Sequence, residues 1–183
     1  NMAHKNIHFI MCDQLRFDYL SCAGHKTLQT PNIDALAARG VRFTNTYCQS
    51  PVCGASRMSF YTGRYVSSHG ATSNLSPLRI GERNIGDHLR PLGIRPVLVG
   101  KTHMVADQEG MERLGVAPDS VIGVNHREAG FEVFERDDGF HSDPIVRQGL
   151  NYNKYLNEQG FEGSNPWHWA ANSVDTPLGV RSG

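Results

Sequence analysis

The sequence predicts a layered α/β domain, and three observations support this fold class. Short apolar runs of strand length alternate with helix-like segments over residues 6–103. Three helix-like segments each end before a glycine, and the first of them begins at Pro31, as helices in globular proteins often do. Polar side chains follow directly after two of the apolar runs, and ligands of open α/β sheets bind beyond the carboxyl ends of the strands.

The first half of this pattern contains two predicted strands around one helix. Residues 6–11 are mostly apolar and predict a short buried strand. Thr30 followed by Pro predicts an N-cap with proline at the first helical position, and the helix runs over residues 31–39 until Gly40 ends it. Residues 41–47 alternate apolar and polar side chains, which predicts a half-buried strand.

The second half continues with helices and one more strand. A helix is expected over residues 54–62, another over residues 85–92, and a buried strand over residues 97–99. Residues 104–183 contain many glycines, prolines and aromatic residues with little periodicity. A long stretch of this kind predicts a loop-rich insertion.

Composition excludes several classes of protein. The 183 residues contain 18 basic and 18 acidic side chains, so neither a nucleic-acid binder nor a polybasic membrane anchor is expected. The chain has no apolar run of about 20 residues and no pattern typical of a signal peptide, so we expect a cytoplasmic location unless a leader was removed. The spacing of Cys12, Cys22 and Cys48 fits no zinc site, and these residues are expected to be buried, inert thiols.

Cys53 is the candidate reactive residue. It stands at the expected start of a helix and four positions before Arg57, so one helical face carries both. The helix dipole and the guanidinium would stabilise an anion there. A thiol phosphatase would have five residues between its cysteine and arginine, whereas three lie between these two. A buried structural cysteine and a surface ion pair of Arg57 are the alternatives.

Oxygen-bearing side chains follow the first predicted strand. Asp13 supplies a carboxylate and Gln14 an amide oxygen. Such hard ligands suit calcium, magnesium or manganese better than zinc. The alternatives are that Asp13 caps a turn and that Gln14 takes no part in a site.

Two basic side chains follow the strand predicted over residues 97–99. Lys101 is a point charge suited to an anionic oxygen, and His103 can exchange protons near neutral pH. Alternation along an extended chain places both on one side, with Thr102 on the other. Their alternative role is as ordinary solvated side chains.

The order of these segments resembles the sulfatase branch of the alkaline phosphatase superfamily. The similar segments, in chain order, are residues 6–14, 30–37, 40–43, 53–57, 62–64 and 100–103. Three positions depart from the common pattern of the family: Gln14 replaces an aspartate, Ala55 a proline, and Thr102 a tryptophan. The resemblance implies a layered α/β/α sulfatase fold, of which this chain is the N-terminal portion.

The resemblance also implies a mechanism. A formylglycine-generating enzyme would convert Cys53 to formylglycine, whose hydrate attacks the sulfur of a sulfate monoester. Asp13, Gln14 and the modified Cys53 would bind a divalent metal, calcium or alternatively manganese or magnesium. Arg57, Lys101 and His103 would be the other catalytic residues, acting on a small anionic ester.

Two further functions stay open at this point. Gln14 and Asn74 resemble residues of phosphonate monoester hydrolases, in which an asparagine at this offset contacts the substrate. The first alternative is therefore a phosphonate monoester hydrolase or phosphodiesterase with the same nucleophile, although Asn74 could be an ordinary turn residue. The second alternative is an inactive homologue that only binds ligands.

Part of the family pattern is missing from the chain. The family usually adds an adjacent aspartate–histidine pair, and usually a lysine, from a later strand, and residues 1–183 contain no Asp-His-Gly segment. We therefore expect the N-terminal part of one catalytic domain, inactive alone and capable of forming a homo-oligomer. His69 is expected at the rim of the site. Four later residues could line a substrate mouth, but aromatic packing is expected for them instead: His141, Trp167, His168 and Trp169.

Overall fold

The computed structural model describes residues 6–138 and 151–159. Its α-helices within these ranges are α1 (Pro31–Arg39), α2 (Cys53–Thr62), α3 (Val66–His69), α4 (Ile85–Leu89), α5 (Gln108–Arg113), α6 (Val121–Arg127) and α7 (Asn151–Glu158). Short 3₁₀ turns cover Phe17–Tyr19, Ser21–Ala23 and Arg90–Leu92. None of these helices is both long and apolar enough to cross a bilayer.

Two parallel strands, β1 (Val97–Gly100) and β2 (Glu132–Arg136), form the sheet of the described residues. Val97 pairs with Glu132 and Gly100 with Arg136, with a bulge after Leu98. Because parallel neighbours need a long crossover, α5 and α6 lie between the two strands in the chain. Helices combined with parallel strands confirm the predicted α/β class.

The core lies between α2, the turn after α3 and the start of β2. Its buried residues are Met58, Tyr61, Ala71, Leu78, Met104 and Ala129, with Phe131 packed against them. The rings of Tyr61 and Phe131 meet edge to face with centroids 5.3 Å apart. This packing fixes the face of α2 that is turned away from solvent.

The helix predictions are confirmed and two strand predictions are wrong. Helix α1 has the predicted bounds, α2 begins one residue early at Cys53, and α4 passes into a 3₁₀ turn that ends at Leu92. The predicted strands over residues 6–11 and 41–47 are irregular and exposed. A strand needs a neighbour for its backbone groups, and neither segment finds one among the described residues.

Other differences concern cysteines and the region after residue 104. Cys12 and Cys48 are exposed and Cys22 is half-buried, so the expectation of buried thiols is wrong, since these residues lie in largely exposed segments. Helices α5 and α6 and strand β2 lie where the sequence showed little regularity. Asp107 and Ser120 cap the two helices, accepting hydrogen bonds from Gly110 and Gly123.

Candidate active site

The N-terminus of α2 is closed by an asparagine from a distant turn. Val52 occupies the N-cap position without a side-chain hydrogen bond. The amide oxygen of Asn74 accepts a hydrogen bond from the Gly54 N–H at 2.8 Å and from the Cys53 thiol at 3.2 Å. Asn74 therefore supplies an acceptor for a first-turn N–H that has no partner within the helix, and it holds the half-buried Cys53 in place.

Gly54 permits this close approach. A Cβ at position 54 would lie 3.0 Å from both the Cα and the Oδ1 of Asn74, and 3.2 Å from the carbonyl oxygen of Ser73. Any larger residue at position 54 would push the turn away from the helix. The turn that carries Asn74 is thus fixed to the N-terminal end of α2.

Arg57 lies one helical turn after Cys53 and is only 6 % exposed. Its Nη1 donates to the carbonyl oxygen of Lys101 at 2.8 Å, and its Nη2 lies 3.5 Å from Oδ1 of Asp13. Burial excludes the alternative of a surface ion pair. The guanidinium joins the three predicted segments around residues 13, 53–57 and 101–103.

Asp13 bridges two cations. Its Oδ2 lies 2.7 Å from Nζ of Lys101, while its Oδ1 faces Arg57. The hydrogen bond from Lys101 is the main reason why the pKa of Asp13 is lowered; partial burial opposes this, and Arg57 adds to it. Asp13 is therefore an anionic oxygen donor at neutral pH rather than a simple turn cap.

The segment that follows β1 turns sharply. Thr102 is fully buried, whereas the Lys101 side chain is 21 % exposed, as alternation predicted. His103 has φ of +52°, in the left-handed region, so the extended form ends there and the alternation argument does not reach it. Burial, followed by the charge of Lys101, lowers the pKa of His103, and its Nδ1 is buried without a partner in the described part of the chain.

Asp138 is a site residue that the sequence analysis missed. Its Oδ1 accepts hydrogen bonds from the backbone N–H groups of Thr102 and His103 at 2.8 and 3.1 Å. Arg136 holds the other oxygen, and Glu128 in turn pairs with Arg136 at 2.9 Å. Burial alone would raise the pKa of Asp138, but the ion pair with Arg136 and the two backbone bonds lower it. The run Arg136-Asp137-Asp138 was the available signal, since charged residues directly after a strand suggest a site.

The residues proposed as metal ligands fit a hard divalent cation in type. Asp13 supplies a carboxylate, and the exposed Gln14 lies beside it with φ of +57°. Calcium takes about six to eight oxygen ligands. No cluster of three or more His, Cys, Asp or Glu residues with metal-binding geometry occurs within the described residues. Asp13, Gln14 and position 53 can thus supply only part of a coordination shell.

His69 belongs to the core rather than to the rim of the site. It is 1 % exposed, accepts a hydrogen bond from the Ala71 N–H on Nδ1, and therefore donates from Nε2 to Ser59 Oγ at 2.8 Å. This tautomer cannot act as a base toward Ser59, so the pair is structural. His141, Trp167, His168 and Trp169 lie outside the described residues.

The sequence model of the sulfatase family matches residues 5–161 of this chain. The chain belongs to the sulfatase family. Curated relatives include the N-acetylglucosamine-6-O-sulfatase of Bacteroides thetaiotaomicron, 27 % identical over 80 % of this chain and 27 % of its own length. The arylsulfatase of Clostridium perfringens is 28 % identical over 93 % of this chain and 39 % of its own length. The chain thus spans about a quarter to two-fifths of these sulfatases.

Solved structures similar to this chain include two phosphonate monoester hydrolases. The enzyme of Agrobacterium radiobacter aligns with a TM-score of 0.62 and 29 % identity over 89 % of this chain and 29 % of its own. That of Silicibacter pomeroyi aligns with a TM-score of 0.66 and 25 % identity over 87 % of this chain and 30 % of its own. These neighbours confirm the predicted alkaline-phosphatase-like fold class.

Proposed function

We propose that this chain forms part of the active site of an enzyme that hydrolyses sulfate monoesters. The supporting observation is the convergence of Arg57, Asp13 and the Lys101 backbone beside the helix that begins at Cys53. Segments 88 residues apart in the chain meet at this point. The sulfatase relatives suggest the class of reaction. The geometry agrees with it, because a tetrahedral sulfate needs several fixed cationic donors around its oxygens.

Each residue then has a distinct role. Position 53, converted to formylglycine and hydrated, supplies a hydroxyl oxygen that attacks sulfur and displaces the alcohol of the ester. The second hydroxyl of the hydrate then loses its proton and expels sulfate, which regenerates the aldehyde. Arg57 orients that nucleophile and balances negative charge from a buried position, while Lys101 binds a sulfuryl oxygen. His103, neutral at pH 7 because its pKa is lowered, can hold the proton that the nucleophile releases.

A divalent metal would be held by Asp13, Gln14 and the oxygen at position 53. When bound, it would polarise the ester and stabilise negative charge on the nucleophile. Further ligands would have to come from outside the described residues. Calcium is the proposed ion, with magnesium and manganese as alternatives, because these donors are oxygens.

The test is turnover of an aryl sulfate by the full-length protein, coexpressed with a formylglycine-generating enzyme. We expect hydrolysis by the wild type and none by Cys53→Ala. The matched control is Cys48→Ala, which removes an exposed thiol five positions earlier and should retain activity. Equal rates for the wild type and Cys53→Ala would refute the proposed nucleophile.

A phosphonate monoester hydrolase is the second candidate, favoured by the contact between Asn74 and Cys53 and by the two structural neighbours. Lys101 and His103 favour the sulfatase, since the ammonium group suits a sulfuryl oxygen and the neutral imidazole can accept the proton of the nucleophile. An aryl phosphonate monoester offered to the same preparation separates the two functions. A higher kcat/KM for the phosphonate than for the sulfate would reverse our assignment.

A further inference from the structure

The loop that carries Lys101 and His103 is held by a carboxylate from the neighbouring strand. Strand β1 ends at Gly100, and the Asp137 N–H donates to the Gly100 carbonyl at 3.0 Å, which continues the strand pairing by one residue. Asp138 comes next and places its Oδ1 against the N–H groups of Thr102 and His103. One carboxylate oxygen thus accepts the two backbone N–H groups that are no longer paired with a neighbouring strand.

We propose that Asp138 is a positioning residue, which fixes Lys101 and His103 in their active arrangement by holding the backbone of residues 102–103. This inference rests on the proposed sulfatase function for the roles of Lys101 and His103. The hydrogen bonds of Asp138 themselves do not depend on that function.

The backbone at His103 needs such support. A non-glycine residue with positive φ is strained, and the bond from the His103 N–H to Asp138 offsets part of that strain. The same turn directs the Lys101 carbonyl toward Arg57. Loss of the Asp138 oxygen should therefore release His103 first and loosen the contact with Arg57 second.

Asp138 is itself held in position. Arg136 donates to its Oδ2 through Nε at 2.8 Å and lies 2.6 Å away through Nη2. Glu128, at the end of α6, pairs with the remaining side of the same guanidinium. A half-buried carboxylate with both oxygens engaged has little freedom to rotate, and this rigidity is what a positioning residue requires.

The experiment is a double-mutant cycle on the full-length protein with an aryl sulfate as substrate. Asp138→Ala should lower kcat/KM by at least about tenfold in the wild type, but by less than about threefold in a His103→Ala background, because its effect passes through His103. Asp119→Ala, at an exposed position, is the matched control and should leave kcat/KM unchanged in both backgrounds. An equal loss in both backgrounds, or no loss in the wild type, would overturn the proposal.

A second measurement does not depend on turnover. Hydrogen exchange of the backbone amides at residues 102–103 should be faster in Asp138→Ala and unchanged in Asp119→Ala. Asp138→Asn keeps one acceptor oxygen, so much of the protection of these amides and part of kcat should be retained. This variant also tests the proposal if Asp138→Ala folds poorly. Absence of wild-type turnover would count against the proposed function alone, whereas unchanged exchange in both Asp138 variants would refute the positioning role.

Discussion

The ammonium group of Lys101 lies 2.7 Å from the carboxylate of Asp13, although 88 residues separate them in the chain. Arg57 contacts the same carboxylate from the other side and also the Lys101 backbone. Three segments therefore depend on one another at a single point.

Lys101→Met should lower kcat/KM for an aryl sulfate by about 10–100-fold, because the fixed positive charge near the sulfuryl oxygens is lost. Methionine preserves most of the apolar stem, so the effect reports on charge. Lys26→Met, at an exposed position, is the matched control. Equal kinetics for the two variants would show that Lys101 has no part in catalysis.

Asn74→Ala should reduce both stability and activity. The Gly54 N–H loses its acceptor, and loss of a capping side chain costs about 1 kcal/mol. We expect kcat to fall as well, since the asparagine contacts Cys53. Urea unfolding and steady-state kinetics measure the two effects, with the exposed Asn45→Ala as control. Unchanged kcat in Asn74→Ala would reduce the role of this residue to capping.

His69 should make stability depend on pH. Burial lowers its pKa below the ordinary 6.5, so the unfolded chain binds the proton more readily than the folded protein. The stabilising contribution is complete above pH 6.5 and is lost as the pH falls toward the lowered pKa. His69→Gln should flatten the change of the urea midpoint over this range. An identical pH profile for the variant would contradict this account.

Removal of metal should abolish turnover without abolishing binding of the substrate by Arg57 and Lys101. Chelation, followed by elemental analysis to verify that the protein is metal-free, should leave little activity. Calcium, magnesium or manganese should then be added back separately, and at least one should restore kcat. Full activity in verified metal-free enzyme would exclude the proposed role of Asp13 and Gln14.

The sequence predicted helices better than strands, for physical reasons. Pro31 at the first helical position and Gly63 after the last fix α1 and α2 locally. The alternation over residues 41–47 also predicted a strand, but a strand requires a neighbour that local pattern cannot supply. Strand β2 was missed because residues 132–136 lie in a charged, glycine-rich region.

The same distinction applies to the site. Cys53, Arg57, Asp13 and Lys101 could be proposed as members of one site from their residue types, and the structure brings the last three together beside the start of α2. For Asp138 the charged run at residues 136–138 was the available signal, but its contacts could not be predicted, because its partners are backbone N–H groups of another segment and those groups are the same in every residue except proline. His69 was misplaced, since its turn position gave no sign of its burial.

The central claim is that Cys53 is the precursor of the nucleophile, and peptide mass spectrometry tests it most directly. Trypsin should release residues 43–57, which contain both Cys48 and Cys53. After coexpression with a formylglycine-generating enzyme, the peptide mass should fall by about 18 Da, with fragment ions assigning the change to Cys53. A peptide in which both cysteines remain unmodified thiols would contradict the claim and favour an inactive homologue.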